Sequence, residues 1–386
     1  MNPTTYLDKI IEKEIDKKNL AGANLLIMKD RKTLYRRSYG MADIEKNIPM
    51  KSDTIFRLFS MSKPVTAVAA LILCERGLLD IKDPVSWYIP SFANPTVLTD
   101  GGEVPAKSEV TVANLLAMNS GLSYPENTPV GLKVCKIFDE MCRLQDEGCG
   151  TTTMELASKI GSLPLCYNPG EKWQYSSSAD VLGAVIEAAS GMRFSEFLEK
   201  EIFAPLGMKD TGFYVPDDKK ERFAQLYRCD EKGIRPETNK NLGIEGYDKL
   251  PNFESGGAGL VSTIDDYSRF AGMLLGNGEI DGVRILSEAS VRFMTSPQFE
   301  YAKIQKDQDW YSMKGYNYGS LVRILENPAD YGIGCRIGEY GWDGWVGTYF
   351  IINPKDNFLM FYFVQRCDTG CNEITKRLKN IAYSMI

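Results

Sequence analysis

The chain has 386 residues, 44% of them hydrophobic and 25% charged, with a formal net charge of −6, a globular composition with ample length for a large buried core. A mildly acidic chain without a long Lys/Arg run carries no electrostatic footprint for nucleic acid or for an anionic membrane surface. Histidine is absent, which excludes Ser-His-Asp triads, Cys-His dyads and histidine-ligated metals and leaves Lys, Tyr and carboxylates as bases for any nucleophile.

The N-terminal residues show no basic stretch followed by an apolar one, so no secretory signal is expected. The longest apolar run, residues 65–74, stops at Glu75-Arg76 and is too short to span a bilayer. Nine cysteines without a C-x-x-C pair read as reduced thiols, and with them the chain reads as cytoplasmic. Cys135, Cys142 and Cys149 recur every seven residues, nearly two helical turns, and so read as small apolar side chains on one helical face rather than as metal ligands. Cys367 and Cys371 read as packing residues in the same way.

In chain order, Tyr6, Leu7, Ile10, Ile11 and Ile15 predict an opening amphipathic helix. Residues 23–28 and 33–40 read as two strands joined by the polar turn Lys29-Asp30-Arg31-Lys32. The next helix is expected to begin around Ser60, with Pro64 in its first turn and Gly77 beyond its end. Helical segments broken by Pro/Gly loops follow, clearest at 112–118, 152–160 and 179–189, while 124–150 reads as a loop-rich lid. One more helix is expected over 265–275. Strand signals return at 318–324, 331–337, 348–352 and 358–365, with a hairpin turn over 353–357 and a last helix over 373–384. Strands at both ends with helices between predict an α+β chain. One antiparallel sheet is built from residues 1–79 and 246–386, and a mostly helical domain over 80–245 is inserted into it.

Ser60-Met61-Ser62-Lys63 is the one S-x-x-K in the chain, at the expected helix start. Residues i and i+3 share a helical face, so hydroxyl and amine can meet. The helix N-terminus favours a developing alkoxide, and a buried lysine has its pKa lowered toward that of a base. Chance alone gives roughly one or two such matches in a chain of ordinary composition. Tyr175, before Ser176-Ser177, sits where a loop is expected to enter a helix; read alone, it is better explained as a packed core tyrosine. Trp342-Asp343-Gly344-Trp345 precedes a strand, and a glycine there allows either close backbone approach to a substrate or a tight turn.

Together and in this order, these pieces resemble the class C β-lactamase and penicillin-binding-protein superfamily. Also similar are Phe56-Arg57-Leu58-Phe59, Leu115-Leu116 with Ser120-Gly121-Leu122, and Pro169-Gly170-x-x-Trp173-x-Tyr175-Ser176. So are Pro205-Leu206-Gly207-Met208 and Gly256-Gly257-Ala258-Gly259-Leu260, and the resemblance covers about residues 20–366. It implies the β-lactamase/DD-peptidase-like fold, with Ser60 as acylated nucleophile and Lys63 and Tyr175 as its proton-handling partners. It places Ser177 where the family often has asparagine, and it implies an oxyanion hole from the backbone N–H groups of Ser60 and Trp345. No cofactor or metal is implied.

The third motif departs from the family's K-T-G, since Trp342 stands in place of the lysine. Losing a charge-assisted contact to a β-lactam carboxylate removes roughly 1.5–3 kcal/mol, or one to two decades in kcat/KM. Asp343, if it points inward, repels an anion further. Tryptophan here also resembles the β-lactamase-like carboxylesterases of family VIII. The resemblance therefore implies a carboxylesterase or acyltransferase acting on a small ester or amide. A D-stereospecific peptidase, a weak β-lactamase and a non-catalytic sensor or scaffold are the other readings. With one cation lost, Tyr175 is expected to depend on Lys63 alone, the two sharing a proton.

Overall fold

The computed structural model describes residues 2–386 apart from 239–240, 245 and 308–309. Helix α1 (Pro3–Asp16) starts where the Asn2 side chain accepts from the Thr4 N–H, with Pro3 in the first turn, where a missing N–H loses no helical bond. Strands β1 (Gly22–Lys29) and β2 (Lys32–Asp43) pair antiparallel around Asp30 and Arg31, at φ 52° and 61°. Two successive left-handed residues give this turn the twist that the strands need.

β1 is paired on its other side with the far end of the chain. Short strand β3 (Ile48–Pro49) and the C-terminal strands β4 (Tyr316–Tyr318), β5 (Arg323–Leu325), β6 (Tyr340–Asp343), β7 (Tyr349–Asn353) and β8 (Phe358–Val364) complete one sheet. Its eight strands lie in the order β4-β5-β6-β7-β8-β1-β2-β3, with Ala23 opposite Val364 and Lys29 opposite Phe358. This is the antiparallel sheet expected from both termini.

The sheet is buried on both faces, which explains its nearly unbroken apolar central strands. Leu25, Ile27, Tyr349 and Ile351 face α1 and the last helix, α5 (Glu373–Tyr383), meeting Leu7, Ile11 and Leu378. Their neighbours Leu26, Phe350 and Ile352 face the larger core, as a period of two requires. That core runs from α2 (Ser62–Glu75) into the inserted helices, joining Val65, Val68 and Leu71 to Leu115, Val181 and Val185 without a break. The sequence boundary proposed at 245–246 falls at a position outside the described residues.

Three stretches differ from expectation. The supposed lid contains an 18-residue helix, α3 (Pro129–Asp146). Thr128 caps it by accepting from the Gly131 N–H, and Val130, Val134, Ile137, Phe138 and Met141 are buried at helical spacing. Cys135 and Cys142 ride on α3, whereas Cys149 lies exposed beyond its end. Residues 318–324 form no single strand: the chain reverses between β4 and β5, with Leu321 at φ 56° and the Gly319 N–H donating to the Val322 carbonyl at 2.9 Å. Residues 331–337 are not a strand either. Asn327 caps a short helix (Pro328–Tyr331), and Gly334 at φ 75° keeps the following segment irregular.

All nine cysteines are free thiols. Among the described residues, no helix is long and apolar enough to cross a membrane.

Candidate active site

Ser60 sits in a single tight turn (Phe59–Met61) that runs directly into α2. Phe59 has φ 45°, a left-handed conformation that is uncommon for a bulky residue and persists only where its surroundings enforce it. Here they do. The Leu58 N–H donates to the Leu260 carbonyl at 2.9 Å, the Thr348 hydroxyl donates to the Leu58 carbonyl at 3.1 Å, and the Phe59 ring packs edge-on against Trp345 at 5.1 Å. A Cβ on Gly344 would lie 2.3 Å from that same Leu58 carbonyl. Glycine thus lets the end of β6 close on the turn that carries Ser60. Its own N–H donates to the Thr348 carbonyl at 2.7 Å.

Lys63, one turn on, is fully buried. Its Nζ lies 3.1 Å from Ser60 Oγ, 3.1 Å from Tyr124 Oη and 2.8 Å from the Gly257 carbonyl oxygen. Burial pushes the amine down to about 7, against the opposing pull of Asp180 and then Asp343. Asp180, on helix α4 (Ser178–Ser190), is itself buried and pushed up by desolvation. It accepts from Ser255 Oγ at 2.5 Å and the Gly257 N–H at 3.0 Å. One carboxylate therefore fixes the glycine loop whose next carbonyl meets Lys63.

Tyr175 enters from the loop before α4. The Trp342 indole donates to its Oη at 3.3 Å. Burial raises the phenol above its ordinary range, with the Ser60 and Trp342 side chains acting the other way. Its ring is enclosed by Trp310 at 4.8 Å, Tyr124 at 5.4 Å and Trp342 at 5.6 Å, with Lys63 Nζ 4.5 Å from its centroid. The structure therefore brings Ser60, Lys63, Tyr175 and Trp342 together. The tyrosine hydroxyl that hydrogen-bonds the amine, however, is that of Tyr124, and Tyr175 meets Lys63 through its ring.

The remaining candidates occupy other places. Ser177 is buried and donates to the Ser123 carbonyl at 2.9 Å, fixing the backbone just before Tyr124 instead of joining the groups around Lys63. The Trp345 indole donates to Asp368 Oδ1 at 2.7 Å. Asp343, one residue past Trp342, pairs with the buried Arg323 and accepts from the Cys371 N–H at 3.0 Å. Its charge is matched inside the sheet by Arg323. Sequence reasoning missed Tyr124 and Asp180. The one signal for Tyr124 was its place two residues after the Ser120-Gly121-Leu122 motif.

The profile of the family described as Beta-lactamase matches residues 7–381. The chain belongs to the Beta-lactamase family. Its relatives there include Protein Rv1367c of Mycobacterium tuberculosis, 32% identical over 363 residues covering 90% of this chain and 86% of that one. Esterase EstB of Burkholderia gladioli is 30% identical over 367 residues, again with 90% and 86% covered. Among solved structures, EstCE1, described as a hydrolase with promiscuous acyltransferase activity, superposes with a TM-score of 0.82 at 23% identity, covering 99% of this chain and 98% of that one. That likeness establishes the β-lactamase and penicillin-binding-protein fold for this family member.

Proposed function

We propose that this Beta-lactamase-family protein is a carboxylesterase or acyltransferase that forms an acyl-enzyme on Ser60. The observation that carries the reading is a serine hydroxyl 3.1 Å from a buried amine whose pKa is lowered to about 7. Half of such an amine is unprotonated near neutrality, so it accepts the Ser60 proton as Oγ attacks the acyl carbon. The family resemblance assigns the N–H groups of Ser60 and Trp345 to the oxyanion. Tyr175, beside Ser60, passes its proton to the departing alkoxide; it regains one from the water or second alcohol that attacks the acyl group, while Lys63 returns its proton to Ser60 Oγ as the acyl–oxygen bond breaks. Trp342 on Tyr175 puts a neutral donor where a cation would hold a carboxylate, and the Trp310 and Trp342 rings surround Tyr175 with apolar surface. Both features favour a neutral ester over an anionic β-lactam. The esterase activity in the name of the Burkholderia relative accords with this choice. A reducing, cytoplasmic setting accords with the nine free thiols.

The test is turnover of short-chain activated esters beside a chromogenic cephalosporin and a D-aminoacyl amide, with intact-mass detection of a serine-directed phosphonate on Ser60. Ester turnover with a Ser60 adduct supports the reading. Preference for the cephalosporin or the amide reassigns the substrate, and an adduct without turnover indicates a sensor.

A further inference from the structure

Both protonation states of Lys63 find the same three partners. As an ammonium it has three N–H groups, and Ser60 Oγ, Tyr124 Oη and the Gly257 carbonyl lie at 3.1, 3.1 and 2.8 Å. As a neutral amine it has two N–H groups and one lone pair. The Gly257 carbonyl can only accept, so one proton is committed there. The other goes to Ser60 or to Tyr124. Only when it goes to Tyr124 does the lone pair face the Ser60 hydroxyl, the arrangement a general base needs.

The surroundings of Tyr124 fit it for taking that proton. Its side chain is half-buried, and desolvation, with Asp180, Tyr175 and Tyr318 as neighbours, raises its phenol well above the ordinary value. It therefore keeps its own proton and offers oxygen lone pairs. A Cβ on Gly257 would sit 2.9 Å from Tyr124 Oη and 2.8 Å from Asp180 Oδ2, so the carboxylate and the phenol border the same small space beside the amine. The loop is fixed from both sides: Ser177 Oγ donates to the Ser123 carbonyl at 2.9 Å, and Ser123 Oγ donates to Glu126 Oε1 at 2.6 Å. Asp180, Asp343, Tyr124 and Tyr175 are the titratable groups facing Lys63.

We infer that Tyr124 is a positioning residue for the reaction at Ser60, taking one amine proton of Lys63 while the Gly257 carbonyl takes the other, so that the lone pair is left aimed at Ser60 Oγ. The inference rests on the Ser60–Lys63 reading given above. The Ser60 O–H bond breaks as an N–H bond forms on Lys63. The resulting ammonium then donates to the same three oxygens, so no heavy atom has to move to satisfy it.

The test is Tyr124→Phe, which keeps the ring and removes the oxygen. Without its acceptor, the neutral amine satisfies its second proton by donating to Ser60, which turns the lone pair away. Plateau kcat is expected to fall about 10- to 100-fold, with KM within about twofold. The ammonium loses a charge-assisted bond and the amine only a neutral one, so the acid limb of the pH–rate profile moves down by about half a unit to one unit. A plateau within about twofold of the parent, or a loss without the downward move, overturns the inference. Monofluorotyrosine at position 124 keeps the hydroxyl and weakens it as an acceptor. It is expected to move the limb the same way by less, and an unmoved limb again overturns the inference. Phosphonate labelling separates the two readings. Equal labelling rates for the parent and Tyr124→Phe overturn the role of Tyr124 alone, whereas no adduct on the parent Ser60 overturns both.

Discussion

The Trp342 indole donates a hydrogen bond to the Tyr175 hydroxyl at 3.3 Å, so a neutral donor and an aromatic face stand where much of the family carries an ammonium. An ammonium there would stabilise a phenolate; an indole stabilises it far less, and burial has already raised the phenol. Tyr175 is therefore expected to work as a protonated donor. Tyr175→Phe should lower kcat by orders of magnitude on an ester with a poor leaving group and much less on an activated one. Trp342→Phe, which removes one neutral hydrogen bond of about 0.5–1.5 kcal/mol, should lower kcat up to roughly tenfold. Steady-state kinetics on a paired series of leaving groups checks both. Equal losses for Tyr175→Phe across the series would remove it as the proton donor.

Ser60→Ala should abolish ester turnover and phosphonate labelling while leaving thermal unfolding close to that of the parent, since the change removes one hydroxyl from a turn held by Leu58, Thr348 and Leu260. Intact-mass spectrometry checks the labelling. An acyl adduct on the Ser60→Ala protein would place the nucleophile elsewhere.

With the Lys63 amine at about 7 and the unprotonated form as base, kcat/KM is expected to rise with slope one through that region and then level off. Stability follows a related sign. The folded value lies below the ordinary 10.5, so between about 7 and 10.5 the unfolded chain binds the extra proton. This group's contribution to stability therefore rises with pH across that window and is flat below it. Lys63→Met should flatten that rise, which denaturant titrations at several pH values would measure. A parent protein whose activity rises only above pH 9 would show that the amine is not depressed.

Gly344→Ala should destabilise the protein by about 1–3 kcal/mol, because the new methyl group meets the Leu58 carbonyl at 2.3 Å and the strand or the turn must shift. As that turn carries Ser60, kcat should fall more than the melting point alone would suggest. Unfolding and kinetics on the same preparation check the pair. Full activity in a less stable protein would show that the shift falls on β6 and spares the turn.

How much of this was legible follows from how far apart the contacting residues are in sequence. Ser60 and Lys63 share a helical face, so spacing alone brought them together. Tyr175, Trp342 and Gly344 were reached only through the family resemblance, because no local period links a loop residue to a strand more than a hundred positions away. Tyr124 and Asp180 meet Lys63 from separate segments; nothing near Asp180 announces it, and for Tyr124 the only local signal is the Ser120-Gly121-Leu122 motif just before it. Helix α3 was hidden because its buried stripe of Val130, Val134, Ile137, Phe138 and Met141 is interleaved with lysines, acids and cysteines in a stretch bounded by Pro125, Pro129 and Gly148. The β4–β5 reversal was missed because Tyr318, Leu321, Val322 and Ile324 suggested one strand, and Gly319-Ser320 between them was not read as a turn.

Pairing Ala23 with Val364 has a consequence for how the molecule comes into being. The central strand of the sheet waits for a partner made more than three hundred residues later, so contact order at this seam is high and its closure slow. Ser60 and Lys63 leave the ribosome early, but the strand that brings Trp342 and Gly344 against them arrives near the end. A nascent or C-terminally shortened chain would hold the S-x-x-K helix beside a β1 paired only with β2, with neither the tightened turn nor the indole in place. A reactive serine is in this way kept from maturing until nearly the whole polypeptide has been synthesised.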